Sequence, residues 1–441
     1  MKLRNTILLF IVLIVGFAMV LFFVPAYKLP YVNFALLLIA SIYIWSAVKA
    51  RIQLQKKPIR YILSGLFWLP LVIVVIASFS IIFYSLEQWP DFLRIYFIGG
   101  LFAYIFSLLF PLSFLFIADI IRWIQVLFSS KKKGNSRVDD LHGEPITRKK
   151  FIVNTGLSLG GLALGTMGFG MVHGNYNFKI WHHQLKKDQL PAALKGLKIV
   201  QISDMHLGTW VSKTPLEEVV GYINSLEADM VFFTGDLVNY RTKEAIPFKE
   251  TLRQIHAKYG VFASLGNHDY GHYYHWESKE DENENWASLL AFYKDLGWKL
   301  MRNQQETIKI GDAFVQIIGV ENWSLNPRFP RLGDLDTALA ESSDADVRLL
   351  LSHDPTHWDE KVIKYPIPID VTFSGHTHGF QFGIESSFFR WSPAQYVYKR
   401  WAGMYYDEDR KMFLNVNRGI GAIGFPGRVG IRPEITLVEM V

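Results

Sequence analysis

Seven side chains able to ligate a metal recur at equivalent places along the second half of this chain. Asp204-Met205-His206 closes the apolar run 197–203, and Gly235-Asp236 closes 230–234. Gly266-Asn267-His268-Asp269 follows 261–265, His353-Asp354 follows 347–352, and Gly375-His376-Thr377-His378 follows 369–374. Asp204, His206, Asp236, Asn267, His353, His376 and His378 together supply two carboxylates, one amide oxygen and four imidazoles. That mixture suits borderline divalent ions such as Mn²⁺, Fe²⁺ or Zn²⁺ and suits Ca²⁺ poorly. Two ions ~3.5–4 Å apart need more ligands than one tetrahedral site, and a group that bridges them. A carboxylate oxygen can bridge through both lone-pair directions and a neutral imidazole cannot, so Asp204 and Asp236 are the bridging candidates. A lone GD or HD doublet is an ordinary turn. The His-Thr-His pair carries more, because residues two apart on a strand share a face.

The elements that must position these groups follow from the same pattern. Between the first two runs, 215–226 places Val219, Val220, Ile223 and Leu226 at helical spacing after a Thr214 cap and Pro215. Strands alternating with helices predict an α/β layered fold, whose ligands bind beyond the carboxyl ends of the strands. Further strands are expected at 313–319, 412–417 and 434–440, the last tying the C-terminus into a sheet. The acidic stretch 277–285 (ESKEDENEN) reads as a solvated loop or helix start.

Taken in order, DMH, GD, GNHD, HD and GHTH resemble the calcineurin-like metallophosphoesterases over residues 197–441. The resemblance implies an α/β/β/α sandwich of two sheets. It implies one ion on Asp204, His206, Asp236 and His378, and another on Asp236, Asn267, His353 and His376, with Asp236 bridging. His268 would stand over the phosphate as proton donor, with Asp269 orienting it. Two cations lower the pKa of a bridging water towards about 7, and the hydroxide would attack phosphorus in line. Hydrolysis of a phosphodiester, pyrophosphate or phosphomonoester follows, with His268 assisting the leaving oxygen. The HxHxDH run of lactamase-like hydrolases does not occur. Phe380 departs from the family pattern, which continues Gly379 with a second glycine. The chain is similar to members that hydrolyse UDP-diacylglucosamine, a substrate made in the cytoplasm. The alternative reading is a membrane-bound sensor that binds a phosphorylated ligand with little or no turnover.

Composition sets the frame for this chemistry. The 441 residues leave room for two or three units. The absence of cysteine excludes disulfides, thiol nucleophiles and thiolate metal sites. Residues 1–174 carry 17 Lys and Arg against 6 Asp and Glu, whereas 175–441 carry 29 against 34. The basic charge therefore belongs to the first segment, and nucleic acid is not an expected partner of the second. Apolar stretches at 6–24, 31–48, 62–84 and 95–117 each approach the ~20 residues a membrane helix needs. A fifth, 151–172, is rich in glycine, which permits close helix approach in a bilayer.

Lys49, Arg51, Lys56, Lys57 and Arg60 crowd one connection, and Arg122, Lys131 to Lys133, Arg137 and Arg148 to Lys150 crowd another. By the positive-inside rule these face the cytoplasm, and an odd number of crossings puts 175–441 outside. The expected organisation is a four-helix transmembrane region (1–125), a basic cytoplasmic linker (126–150), a fifth transmembrane anchor (151–174) and a metallophosphoesterase domain (175–441). The expected location is a bacterial cytoplasmic membrane, with the catalytic domain on its extracytoplasmic side. Residues 147–152 resemble a twin-arginine export signal with Lys149 in place of the second arginine; a plain basic flank is the preferred reading of them. The expected partners are the lipid bilayer and a phosphate ester. Arg418, Arg428 and Arg432, in the glycine-rich stretch 417–433, are candidate phosphate-gripping groups. The aromatic-dense stretch 388–406 reads as core, pocket wall or membrane-interface surface.

Overall fold

The computed structural model describes residues 28–83, 89–128, 148–340, 344–386 and 388–441. It divides into two compact units, Met1–Gly168 and Phe169–Val441. Among the described residues, the N-terminal part holds four long helices: α1 (Lys28–Gln53), α2 (Lys57–Phe83), α3 (Asp91–Phe128) and α4 (Arg148–Val172). Each is long and apolar enough to cross a membrane. They cover the second to fifth apolar stretches; the first, 6–24, and most of the basic linker lie outside the described residues. Two glycines of α4 act as expected of small residues in a bilayer. A Cβ added to Gly156 would lie 2.6 Å from Phe114 Cβ, and one added to Gly160 would lie 2.8 Å from the Ser107 carbonyl oxygen. The two helices thus meet nearly backbone to backbone. Tyr43 on α1 donates a hydrogen bond to Asp119 Oδ2 on α3 at 2.6 Å.

The second unit is a sandwich of two six-stranded sheets. The first runs β1 (Lys179–Leu185), β14 (Glu434–Met440), β2 (Lys198–Ile202), β3 (Met230–Phe233), β4 (Val261–Ala263), β5 (Lys299–Leu300). The second runs β12 (Gly403–Asp407), β13 (Met412–Val416), β9 (Val371–Ser374), β8 (Val347–Leu351), β7 (Ala313–Gly319), β6 (Gln304–Ile310). Strands β10 (Ile384–Glu385) and β11 (Arg390–Trp391) form a separate hairpin. Alternation along each strand builds the layers. Ile199, Phe232 and Phe262 face Val315, Leu349, Val371 and Phe373 in the central core. Val200, Val231 and Phe233 point the other way, onto helices α5 (Thr214–Ser225) and α6 (Lys279–Leu296). On the far side Ile318, Leu350 and Leu414 pack with Trp358. The two-sheet α/β architecture is the one the motifs implied.

One helix start differs in detail from the sequence reading and another agrees with it. Thr214 is the first residue of α5 rather than its cap; Lys213 holds that place without a side-chain hydrogen bond, and Pro215 occupies the first turn. The acidic stretch resolves into a helix start: Ser278 caps α6 by accepting from the Asp281 N–H, with Glu280, Asp281 and Glu282 in the first turn.

A buried polar network crosses the sandwich beneath the strand ends. Gln201 Nε2 donates to Thr234 Oγ1 at 3.0 Å and to the Ser374 carbonyl at 2.9 Å, and its Oε1 accepts from Asn415 Nδ2 at 2.6 Å. Asn417 Nδ2 donates to Thr436 Oγ1 at 3.0 Å, and Thr436 Oγ1 donates to Glu434 Oε1 at 2.5 Å. One side chain of β2 therefore ties the ends of β3, β9 and β13 together. Gln201→Leu should destabilise this unit by about 2–4 kcal/mol, because it leaves buried partners unsatisfied as well as losing three bonds. Pulse proteolysis of the full chain in detergent across a urea series measures the loss; a midpoint unchanged from wild type would contradict it.

Candidate metal centre

The ligand candidates all lie just past the carboxyl ends of parallel strands. Asp204 and His206 follow β2, Asp236 follows β3, Asn267 follows β4, His353 follows β8, and His376 and His378 follow β9. Turning so many donors inward needs uncommon backbone. Asp204, His206, Asp236, His376 and His378 adopt φ values of 50°, 46°, 58°, 71° and 50°, the left-handed region that side chains other than glycine's resist. Two motif glycines make room for the carboxylates. A Cβ on Gly266 would lie 2.2 Å from Asp236 Oδ1, and one on Gly375 would lie 2.2 Å from Asp204 Oδ2.

The donors fall into two sets, Asp204 with His206 and His378, and Asp236 with His353 and His376, each set's ligand atoms within 4.8 Å of one another. His206 Nε2 and His378 Nε2 are 3.0 Å apart, and His378 Nε2 is 3.2 Å from Asp204 Oδ1. In the second set His376 Nδ1 lies 3.3 Å from His353 Nε2. Asp236 Oδ2 stands between the sets, 3.5 Å from His206 Nε2 and 3.2 Å from His353 Nε2. Asn267 gives its Nδ2 to Tyr273 Oη at 3.0 Å, which leaves its buried Oδ1 without a hydrogen-bond donor. Crowded imidazole nitrogens, buried carboxylates and a bare amide oxygen form a donor set that fits divalent cations.

The electrostatics agree with that fit. Burial raises the carboxyls of Asp236 and Asp204, yet His353 beside the first and His378 beside the second hold both below the usual carboxylate range. Burial pushes His206 well below its ordinary value. Burial also lowers His353, but Asp236 and then Asp204 outweigh it and carry the ring up to about 10. The carboxylates call for positive charge beside them.

Several neighbours fix these rings. His353 Nδ1 meets the Thr234 carbonyl at 2.7 Å, which turns Nε2 to the cluster. His376 Nε2 lies 3.4 Å from Asp354 Oδ2 and 3.1 Å from Tyr398 Oη, which turns Nδ1 to the cluster. Asp354 and Tyr273 escaped sequence reasoning as site residues, and Tyr398 entered it only as part of an aromatic stretch with pocket wall among its readings. Asp354 stood in the HD doublet beside His353, while no spacing marks Tyr273.

His268 is at the cluster's rim, its ring edge-on to that of His206 with centroids 4.9 Å apart. Its Nδ1 contacts the Asn239 carbonyl at 2.7 Å, and its backbone N–H donates to Asp236 Oδ1 at 2.8 Å. The Asp269 carboxylate accepts instead from the backbone N–H groups of Asp236, Leu237 and Gly266, at 2.9, 2.8 and 2.9 Å. Asn239, and not Asp269, holds the His268 ring. Asp269 shapes the loop that carries Asp236, and burial with the nearby Asp236 charge raises its own carboxyl to about 7.

The three arginines have separate places. Arg418 is buried in ion pairs with Glu434 and Glu385, over the Trp181 ring. Arg432 is exposed and donates to the Asn177 and Phe178 carbonyls. Arg428 alone reaches the cluster, with Nη2 3.4 Å from His378 Nδ1 and a buried Nη1 that has no hydrogen-bond partner.

Residues 197–380 match the family described as calcineurin-like phosphoesterase, and residues 27–175 match a probable calcineurin-like phosphoesterase transmembrane domain. Among similar proteins is an uncharacterized metallophosphoesterase of Bacillus subtilis, YkuE, 30% identical over 67% of this chain and 98% of that one. A transmembrane protein with metallophosphoesterase domain of Danio rerio is 25% identical over 92% of this chain and 87% of its own. An uncharacterized metallophosphoesterase of Helicobacter pylori is 26% identical over 74% of this chain and 80% of its own. With strand-end donors arranged in two His/Asp sets and a membrane-spanning region ahead of them, this chain belongs to the calcineurin-like metallophosphoesterases, as a membrane protein with a phosphoester-hydrolase domain.

Proposed function

We propose that the chain hydrolyses a phosphate ester at a binuclear metal centre. The reading rests on the place of Asp236 Oδ2, 3.2 Å from His353 Nε2 of its own set and 3.5 Å from His206 Nε2 of the other. In it Asp204, His206, Asp236 and His378 hold one ion, and Asp236, Asn267, His353 and His376 hold the other, with Mn, Fe or Zn as the candidate metals. The bound pair would supply Lewis acidity towards a water nucleophile and towards the phosphoryl oxygens. The remaining work falls to the chain. Asn239 anchors His268 through Nδ1, so His268 Nε2 is the atom that carries a proton to the leaving oxygen. Asp354 and Tyr398 hold the far nitrogen of His376 and fix the nitrogen it offers as ligand. Asp269 keeps the backbone of Asp236 and Leu237 in place.

The substrate in this reading is a membrane or envelope compound, such as a phospholipid, a lipid-linked pyrophosphate or a cell-wall phosphodiester, because the domain continues directly from a membrane span. The asymmetry of Lys and Arg along the chain supports an extracytoplasmic domain on a bacterial cytoplasmic membrane.

Full-length protein in detergent, stripped by chelator and resupplied with Mn²⁺, Zn²⁺ or Fe²⁺, should recover hydrolysis of bis(p-nitrophenyl) phosphate. Asp236→Asn should abolish that turnover, and His268→Ala should lower kcat by about 10²–10⁴-fold. A folded, metal-binding chain that turns over no ester with any of the metals would favour the sensor reading. Topology is testable because the native chain holds no cysteine. With Glu408→Cys, a membrane-impermeant maleimide should label intact cells; labelling only after lysis would place the domain inside.

A further inference from the structure

An exposed aromatic surface stands beside the point where the membrane span enters the phosphoesterase unit. Phe382, Ile384, Phe388, Phe389, Tyr396 and Val397 are 37%, 55%, 98%, 54%, 75% and 64% exposed. Three of them, Ile384, Phe388 and Phe389, belong to the hairpin of β10 and β11. Ile384 pairs with Trp391 and Glu385 with Arg390, and Ser386 Oγ accepts from the Phe389 N–H at 3.0 Å to close the turn. Its base is already anchored, since Ala394, Trp401, Ala402 and Ile431 form a buried cluster of their own. The exposed rings are surplus to that core, and a contiguous apolar surface of this kind marks a contact with something else.

The backbone indicates what that is. The span Lys150–Tyr176 ends inside the second unit, which begins at Phe169. In its last turn the Gly170 carbonyl accepts from the Arg428 N–H at 3.1 Å. A Cβ on Gly170 would meet the Arg428 carbonyl oxygen at 2.7 Å, and one on Gly174 would meet it at 2.1 Å, so span and loop touch backbone to backbone. The next residue, Val429, donates to the Gln381 carbonyl at 2.7 Å and accepts from the Gly383 N–H at 2.9 Å. Gln381 Nε2 adds bonds to the carbonyls of Phe425 and Gly427, at 2.6 and 2.9 Å. The root of the hairpin is thus two hydrogen-bonded backbone steps, roughly 10 Å, from the end of a membrane helix.

We infer that strands β10 and β11 with Phe388 and Phe389, and the adjoining turn at Tyr396 and Val397, dock into the leaflet at the C-terminal end of α4. Aromatic rings mixed with Trp391 and Tyr396, whose indole N–H and hydroxyl meet at 3.3 Å, suit the polar–apolar boundary of a bilayer. The same segment continues to Tyr398, whose hydroxyl touches His376, and the Tyr398 ring stands perpendicular to that of Phe380 with centroids 6.2 Å apart. Docking therefore brings one wall of the metal cluster towards headgroup depth. Where the phosphoesterase reading holds, that favours a phosphate ester carried on a membrane amphiphile.

The test reads depth, not activity, so its result is separate from that of the catalytic reading. A nitroxide on Phe388→Cys, and another on Tyr396→Cys, would be placed in the full chain and reconstituted in phosphatidylcholine–phosphatidylglycerol bilayers. Phe314→Cys on β7 and Tyr222→Cys on α5 serve as exposed references. Both hairpin labels should collide with oxygen and lose collisions with an aqueous nickel chelate, reporting a depth of about 5–10 Å. Hairpin labels as open to the chelate as the references would overturn the inference. So would labels shielded from oxygen and chelate alike, the sign of a second protein copy on this surface.

Discussion

Two carboxylates, Asp204 and Asp236, lie buried among four imidazoles at the seam of two β-sheets, and the rest of the phosphoesterase unit is organised around that concentration of charge. Buried charge costs several kcal/mol unless it is compensated. The histidines compensate in part, since Asp236 raises His353 while burial drives His206 and His376 towards their neutral forms. Divalent cations meet the need while leaving the rings neutral and available as ligands.

The surrounding fold carries the strain of this arrangement. Five ligand candidates hold left-handed backbone conformations, and Gly266 and Gly375 leave room where a methyl group would strike a carboxylate oxygen. Asp269 gathers three loop N–H groups, and Gln201 links the strands beneath. The ion pairs of Arg418 with Glu434 and Glu385 extend the same scaffold from the other side, reaching the network through Thr436. These polar contacts specify position, whereas the apolar layers around Phe232, Leu349 and Phe373 supply the burial that holds the sandwich together.

Much of this was legible in the residues. Alternating apolar runs ended by Asp, Asn and His marked both the strands and the edge they share, since period and terminus are local properties. Strand β1 went unseen because the period-2 face of KIWHHQL is obscured by two adjacent histidines, and β6 because QQETIKI holds mostly polar side chains of intermediate burial. The role of Asp269 was misread because its doublet with His268 suggested a side-chain pair, while the carboxylate in fact binds loop backbone. Arg418 read as a phosphate ligand on a glycine-rich loop, yet its partners Glu385 and Glu434 are distant in sequence. Phe380 is the reverse case. Its departure from glycine was visible in the sequence, and the structure sets it at φ 51°, a conformation in which glycine would be unstrained.

The most direct test of the account is anomalous diffraction from crystals of the full chain loaded with Mn²⁺. The account requires two peaks about 3.5–4 Å apart, with Asp236 between them and Asn267 on only one. A single peak, or two peaks with no shared ligand, would contradict it.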